Sequence, residues 1–300
     1  MSKNINKGLK VTTETATILK SAPIVKQSLH DLAKKCESLK EKGVTPTMKV
    51  ILVGENPASI IYTRNKKKFM EKFGAECEII KLPSSLSEED FLERVEQVVS
   101  NKNNHGCFVQ LPLPEQLSHI DVGELINPSK DVDGFNKANI MDIYRGEKGD
   151  SALIPCTPKG IITLCDFYNI DLTSKKIVVI GRSLIVGKPL SLLLTNYNAT
   201  VTLCHSKTEN IQEHTGSADI IVTAIGSAKF LKRDHLSKTK KQYIIDVGMN
   251  HDEDGKLCGD VDFDNVKDHV AGITPVPGGV GPMTILSLAQ NLLQAAEKRL

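Results

Sequence analysis

KKIVVIGRSLIVGKPLSLLL, residues 175–194, reads as a buried strand, a tight glycine turn and an apolar helix. That succession opens a dinucleotide site in a parallel α/β sheet, although the usual G-x-G-x-x-G spacing is altered. Gly181 opens the turn, Ser183 stands at the second glycine position, and Val186-Gly187 replaces the third. Small residues are needed there because a pyrophosphate approaches the backbone closely and is held by the free N–H groups of the helix N-terminus. About 20 residues further on, an NAD site places Asp or Glu to accept from the ribose 2′-hydroxyl. This chain has TVTLCHSKT at 200–208, which offers hydroxyls and a lysine but no carboxylate. Arg182 and Ser206 can both donate to a 2′-phosphate, the arginine in bidentate fashion, so the corner suits NADP. The plainer alternative is a glycine turn that binds nothing, with Arg182 a solvated charge.

Working outward, strand-like runs alternate with amphipathic helices, which predicts an α/β fold of parallel sheets. Strands are expected at 48–54, 76–83 and 106–114 in the first half, and at 176–181, 200–205, 219–226 and 242–249 in the second, with a short one near 270–274. Two α/β domains follow, one over 1–150 and a Rossmann-type NADP-binding domain over 151–284, with a cleft between them. The turn-rich stretch YRGEKGDSALIPCTPKG, 144–160, marks the boundary. A C-terminal helix over 285–300 has an apolar stripe that must pack somewhere, and the first domain is the expected place.

The totals bound the function. The chain has 300 residues, 40% hydrophobic and 25% charged, with a formal net charge of +2. That size and balance fit a globular protein with a substantial core. There is no basic field to suggest a nucleic-acid partner, and 4% aromatics without Trp give no stacking platform. Seven cysteines without a C-x-x-C pair argue against a disulfide framework or a zinc site, so no metal is expected. The polar start, MSKNINKGLKVTTETATILK, lacks the apolar core of a signal peptide, and no run approaches ~20 apolar residues. A cytoplasmic protein without membrane contact is the expectation.

The stretch ENPASIIYTRNKKKFMEKFG, 55–74, sets a puzzle. Pro57 suits a first helical turn and Gly74 a C-terminal stop. At about 100° per residue, Ala58, Tyr62, Lys66, Phe69, Met70 and Phe73 share one stripe, with a lysine in its middle. Lys66 is then either a snorkelling edge residue or a catalytic amine that serves as base or proton shuttle. Tyr62, one turn earlier, can stack on a planar ring. Gln110 ends the strand GCFVQLPLP at the sheet edge where ligands bind, or merely caps it. Asp131 and Asp133 in SKDVDGFN are either functional acids or the side-chain bonds of a turn.

Together YTRNKKK, VQLPLP, KDVDGFN, PCTPKG, GRSLIVGKP, CHSKT, DVGMN, GDVDF and TPVPGGVGPMT, between about 50 and 284, resemble one family. It is the bifunctional methylenetetrahydrofolate dehydrogenase/methenyltetrahydrofolate cyclohydrolase family. The resemblance implies NADP-dependent oxidation of a tetrahydrofolate derivative followed by hydrolysis, in the one-carbon metabolism that also feeds purine biosynthesis. It implies that Lys66 is the acid/base of hydrolysis, Gln110 its hydrogen-bonded partner and Asp133 the acid at the pterin edge. Tyr62 would stack on the folate. Val109, Leu111 and the segment from Pro277, Gly278 and Gly279 to Ile285 would line the cleft. Gly181, Arg182 and Ser183 would hold the cofactor, with Ser206 at the 2′-phosphate and Met249, where isoleucine is usual, beside the nicotinamide. Family members are usually homodimers. A dehydrogenase without hydrolase activity, a hydroxy- or amino-acid dehydrogenase and a nucleotide sensor are the rival readings.

Overall fold

The computed structural model describes residues 16–149, 151–239 and 241–300. The polar start read above lies, up to residue 15, outside the described residues. The first part of the chain runs β1 (Thr17–Ile18), α1 (Ala22–Glu41), β2 (Thr47–Val53), α2 (Pro57–Lys72), β3 (Glu76–Leu82), α3 (Glu88–Ser100) and β4 (Gly106–Val109). Next come α4 (Val122–Leu125), α5 (Lys137–Tyr144), α6 (Cys156–Phe167), β5 (Lys176–Ile180), α7 (Gly187–Asn196), β6 (Thr200–Cys204), α8 (Ile211–Ser217) and β7 (Ile220–Thr223). The remainder is β8 (Tyr243–Asp246), β9 (Asn250–His251), β10 (Leu257–Cys258), α9 (Phe263–Val266), β11 (Gly272–Ile273) and α10 (Val280–Glu297).

Two parallel sheets result. One has the order β3-β2-β4 and the other β1-β11-β8-β7-β5-β6; β9 and β10 form a small antiparallel pair. The apolar runs are explained by burial on both faces: Met48, Val50, Ile51, Leu52 and Val53 of β2 are all buried, as are Ile177 to Ile180 of β5. The expected α/β architecture is present, with differences at the ends. The strand expected over 106–114 pairs only as far as Val109, and one further bond, Gln110 N–H to Ile51 O at 2.9 Å, precedes the exit through Pro112 and Pro114. β1, in turn, pairs with β11 at the edge of the larger sheet.

The C-terminal helix begins at Val280, five residues before the expected start. Pro282 is the third helical residue, where an intrahelical N–H bond is not required, so the proline does not delay the helix. α10 packs on α6, α1 and α2 and on strands β2 and β4. On α2 the buried series is Ser59, Thr63, Lys66, Met70 and Phe73; Ala58 is exposed and Tyr62 and Phe69 are half-buried. Two small polar residues share that buried face because Thr63 Oγ1 bonds back to the Ser59 carbonyl at 2.9 Å. A hydropathy pattern therefore places the stripe one residue off. Asn56 Oδ1 accepts the Ser59 N–H and starts the helix, and Gly74, at φ +92°, follows its end.

Candidate active site

The carboxyl ends of both sheets face one cavity of about 520 Å³. α2 contributes Tyr62, Asn65 and Lys66; the end of β4 contributes Val109, Gln110 and Leu111. Asp133 enters from the turn between α4 and α5, Cys156 and Thr157 from the start of α6, and Asp246 to Met249 from the end of β8. The segment from Pro275 through Pro277, Gly278 and Gly279 to Ile285 closes the remaining side. The residues expected on the folate side thus line one space, together with Met249. Gly181, Arg182, Ser183 and Ser206 do not line it; they sit past the ends of β5 and β6.

Lys66 is only 5% exposed. Its Nζ donates to Gln110 Oε1 at 3.2 Å and lies 4.0 Å from the centre of the Phe108 ring and 5.7 Å from that of Tyr62. Gln110 Nε2 donates to the Leu111 carbonyl at 2.7 Å, which turns the amide oxygen toward the lysine. The ammonium therefore has one oriented acceptor and two aromatic faces, and its third side opens on the cavity. Burial, and secondarily the charge of Asp133, pushes the Tyr62 phenol up from its ordinary value.

The two aspartates divide as their surroundings dictate. Asp131 is buried and accepts from the Gly134 N–H at 3.0 Å, the Asn136 N–H at 2.7 Å and Asn139 Nδ2 at 3.0 Å, so it holds the turn. Burial pushes its carboxyl up to about 6 against the pull of these donors. Asp133 faces the cavity. The turn can approach the start of α6 because residue 134 is glycine: a Cβ there would lie 2.5 Å from Pro155 N, and φ is +81°. Asn291 of α10 clamps the same junction, donating through Nδ2 to the Val132 and Ile154 carbonyls, both at 2.8 Å.

On the dinucleotide side, the turn after β5 is close-packed backbone. Gly181 has φ +121°, and a Cβ on it would lie 2.2 Å from the Ala224 carbonyl oxygen. A Cβ on Gly187 would lie 1.9 Å from the Gly181 carbonyl oxygen. Ser183 Oγ accepts from the Val186 and Gly187 N–H groups at 3.2 and 3.4 Å, shaping the entry to α7. Ile180 and Cys204 are register partners on adjacent strands, so Arg182 and Ser206 each stand two residues beyond a paired position. Both are exposed. A glycine cradle at a helix N-terminus, with a cation and a hydroxyl past neighbouring strands and no carboxylate in CHSKT, fits a phosphorylated dinucleotide.

Asp246 and Asp260 went without a role in the sequence reading. Asp246 accepts from the N–H groups of Gly248, Asp260 and Val261 at 2.9 to 3.0 Å, and burial pushes its carboxyl up to about 6. Asp260 accepts from the Ile225, Gly226 and Ser227 N–H groups. Together they fix the loops after β7 and β8 at the cavity wall. An acid at the buried end of a strand, in DVGMN, followed by GDVDF was the available signal.

Gly187→Ala tests the cradle. The added methyl meets a backbone oxygen that cannot step aside, so the turn must open. An overpacking cost of about 1–3 kcal/mol corresponds to a loss of about 5- to 150-fold in dinucleotide affinity. A fluorescence titration with NADPH reads it, and unchanged affinity would remove this turn from the dinucleotide site.

A family model described as the tetrahydrofolate dehydrogenase/cyclohydrolase catalytic domain matches residues 19–133, and one described as its NAD(P)-binding domain matches residues 155–300. The bifunctional protein FolD of Bacillus subtilis is 48% identical over 286 residues, covering 95% of this chain and 99% of that protein. The solved structure of the bifunctional FolD methylenetetrahydrofolate dehydrogenase/cyclohydrolase of Campylobacter jejuni superposes with a TM-score of 0.91 at 39% identity, covering 95% of this chain and all of that one. The Trypanosoma brucei dehydrogenase-cyclohydrolase, solved with NADP cofactor and inhibitor, superposes with a TM-score of 0.88 at 30% identity, covering 95% and 99%.

Proposed function

The chain belongs to the tetrahydrofolate dehydrogenase/cyclohydrolase family, and from that premise we propose that Lys66, Gln110 and Asp133 carry the folate chemistry of the cavity. The protein is a methylenetetrahydrofolate dehydrogenase and methenyltetrahydrofolate cyclohydrolase of folate one-carbon metabolism, with NADP as cofactor. The observation that carries the residue assignment is a lysine amine, buried among aromatic rings and bonded to an oriented glutamine, at the wall of the cleft.

When bound, NADP⁺ supplies the hydride acceptor for the methylene carbon that bridges the two folate nitrogens. The cleft aligns the folate: Tyr62 stacks on its aromatic part, Val109, Leu111 and Pro277 to Gly279 enclose it, and Asp133 accepts from the amino-pyrimidine edge. Loss of hydride leaves a cationic methenyl bridge. Water adds to that carbon and releases a proton, one carbon–nitrogen bond breaks, and the freed ring nitrogen gains a proton as the formyl group forms. Lys66 relays the proton between water and nitrogen, and Gln110 holds its Nζ on that line. Gly181, Arg182, Ser183, Ser206 and Met249 hold the cofactor.

Division of the chain into a folate-side unit over 1–150 and a dinucleotide unit over 151–284 is part of this reading, supported by the separate sheets except at β1, which lies in the larger sheet beside β11. So is a homodimer in the cytoplasm, which rests on the family resemblance; sedimentation of the purified protein tests the dimer. Among the described residues no helix is long and apolar enough to cross a membrane, and no group of three or more His, Cys, Asp or Glu could hold a metal ion.

The defining experiment supplies 5,10-methylenetetrahydrofolate with NADP⁺ or NAD⁺ and follows reduced cofactor and methenyl absorbance together. NADPH formation with little methenyl accumulation, and enzyme-dependent loss of added methenyl substrate, are expected. Arg182→Ala should raise the NADP KM about tenfold or more, the scale of a lost charge-assisted hydrogen bond, and narrow the gap to NAD. Unchanged discrimination would remove Arg182 from the phosphate corner.

A further inference from the structure

Asp246 and Asp260 flank the β9–β10 hairpin and have no part in the scheme above. Both are buried, and among the described residues neither is ion-paired. Neutral donors alone meet their charge. Besides its three N–H partners, Asp246 accepts from Thr223 Oγ1 at 3.2 Å. Asp260 accepts from Asn250 Nδ2 at 2.9 Å in addition to the N–H groups of Ile225, Gly226 and Ser227. Each acid also occupies the space left by a glycine of the other's loop. A Cβ on Gly248 would lie 2.3 Å from Asp260 Oδ1, and one on Gly259 would lie 1.8 Å from Asp246 Oδ2. The two loops therefore interlock, and neither can shift without stranding a buried carboxylate from its donors.

These bonds join the dinucleotide turn to the cavity. At the end of β5 the Ile180 carbonyl accepts the Ala224 N–H at 2.8 Å, and Asp260 gathers the next three N–H groups of the same loop. The loop after β8 carries Val247, Gly248 and Met249 into the cavity that Lys66 and Asp133 also line, whereas Asp260 does not line it. Neutral packing would hold ordinary loops without burying two neighbouring carboxylates. What the carboxylates add is direction. Every one of their four oxygens accepts at least one backbone N–H, so the chain after β7 and β8 is set against the dinucleotide turn as one piece.

We propose that the Asp246–Asp260 pair positions the nicotinamide end of the dinucleotide for hydride transfer and takes no part in hydrolysis. This rests on the reading of Met249 as the residue beside the nicotinamide. Placement matters most for the hydride step, where a displacement of about 1 Å can cost about 10²-fold in rate. Lys66, Gln110 and Asp133 stand on α2, at the end of β4 and in the α4–α5 turn, so the hydrolytic groups keep their geometry when the pair is altered.

Asp260→Asn keeps the side chain's shape and turns one acceptor into a donor that faces N–H groups. Three quantities are read: hydride transfer in a single turnover, the NADPH dissociation constant by fluorescence, and methenyl hydrolysis without dinucleotide. Hydride transfer should fall about 10- to 100-fold, while the dissociation constant changes by less than about threefold and hydrolysis by less than about twofold. A merely structural acid would impair all three together; that outcome, like unchanged hydride transfer, overturns the proposal. If Asp260→Asn does not fold, Asn250→Ala is judged by the same criteria. It removes one donor and leaves the carboxylate its three N–H groups, so hydride transfer should fall about three- to tenfold. Met249→Trp separates this proposal from the reading beneath it. Unchanged dehydrogenase turnover and NADP KM in that variant overturn the placement of Met249 and the proposal with it. A loss there beside unchanged hydride transfer in Asp260→Asn overturns the positioning role alone.

Discussion

Lys66→Met is expected to lower methenyltetrahydrofolate hydrolysis by about 10²–10⁴-fold, the contribution of a positioned acid/base, while hydride transfer remains measurable. Methionine nearly matches the lysine stem in volume and is unbranched, so it fits a position that is already 5% exposed and walled by Phe108 and Tyr62. What disappears is the amine. Hydride transfer moves no proton through Lys66 in the scheme above, so its loss should be the smaller of the two. Parallel assays of NADPH formation and methenyl decay separate the steps. Equal loss of both activities would show that Lys66 holds the substrate rather than moving its proton.

The second large effect concerns stability. Asn291 is fully buried in α10, where its amide donates to the Val132 and Ile154 carbonyls and accepts from Lys159 Nζ at 2.8 Å. Asn291→Leu leaves two carbonyls and one amine without that partner. Buried polar groups stranded in this way cost about 1–3 kcal/mol each, so a total loss of about 3–5 kcal/mol is expected after local relaxation. The urea midpoint should fall accordingly, and a loss under about 1 kcal/mol would mean that the clamp contributes little. Adding Lys159→Met should recover part of the loss, because no amine is then stranded.

Lys159 also gives this junction a pH signature. Burial pushes its amine down to about 8 from an ordinary 10.5. A folded value below the unfolded one means that the native chain favours the neutral amine. The resulting stability is complete above 10.5 and is lost as pH falls through about 8. Wild type should therefore gain on Lys159→Met as pH rises across that window, and a flat difference would contradict it.

Much of this molecule was legible because its signals are local. The strand–glycine–helix run at 175–194 and the apolar runs of β2, β5 and β7 follow from burial on both sheet faces. Lys66 stood out because a charge on an apolar stripe is conspicuous. Its partner was harder: Gln110 bonds Lys66 across 44 residues of sequence, and only the resemblance joined them. Thr63 escaped because its hydroxyl is satisfied within the helix, and Ser59 because its hydroxyl reaches the Leu111 carbonyl, 52 residues away. Asp246 and Asp260 escaped for another reason: they accept N–H groups from residues as far as 35 positions away, and no periodicity records such pairs. The C-terminal helix was drawn short because Pro282 looks like a boundary until the helix start is known.

β1 belongs to the sheet that the chain completes last. Thr17 and Ile18 pair with Gly272 and Ile273, while β2, the next strand in the chain, belongs to the three-stranded sheet. During synthesis the three-stranded sheet can form as soon as β4 emerges, but β1 has no partner until more than 250 residues have followed it off the ribosome. A nascent chain stalled before Gly272 should therefore leave residues 16–20 open to protease, and release of the full chain should close them. Ser21 joins the same late event, since its acceptor Gly278 also arrives near the end of translation.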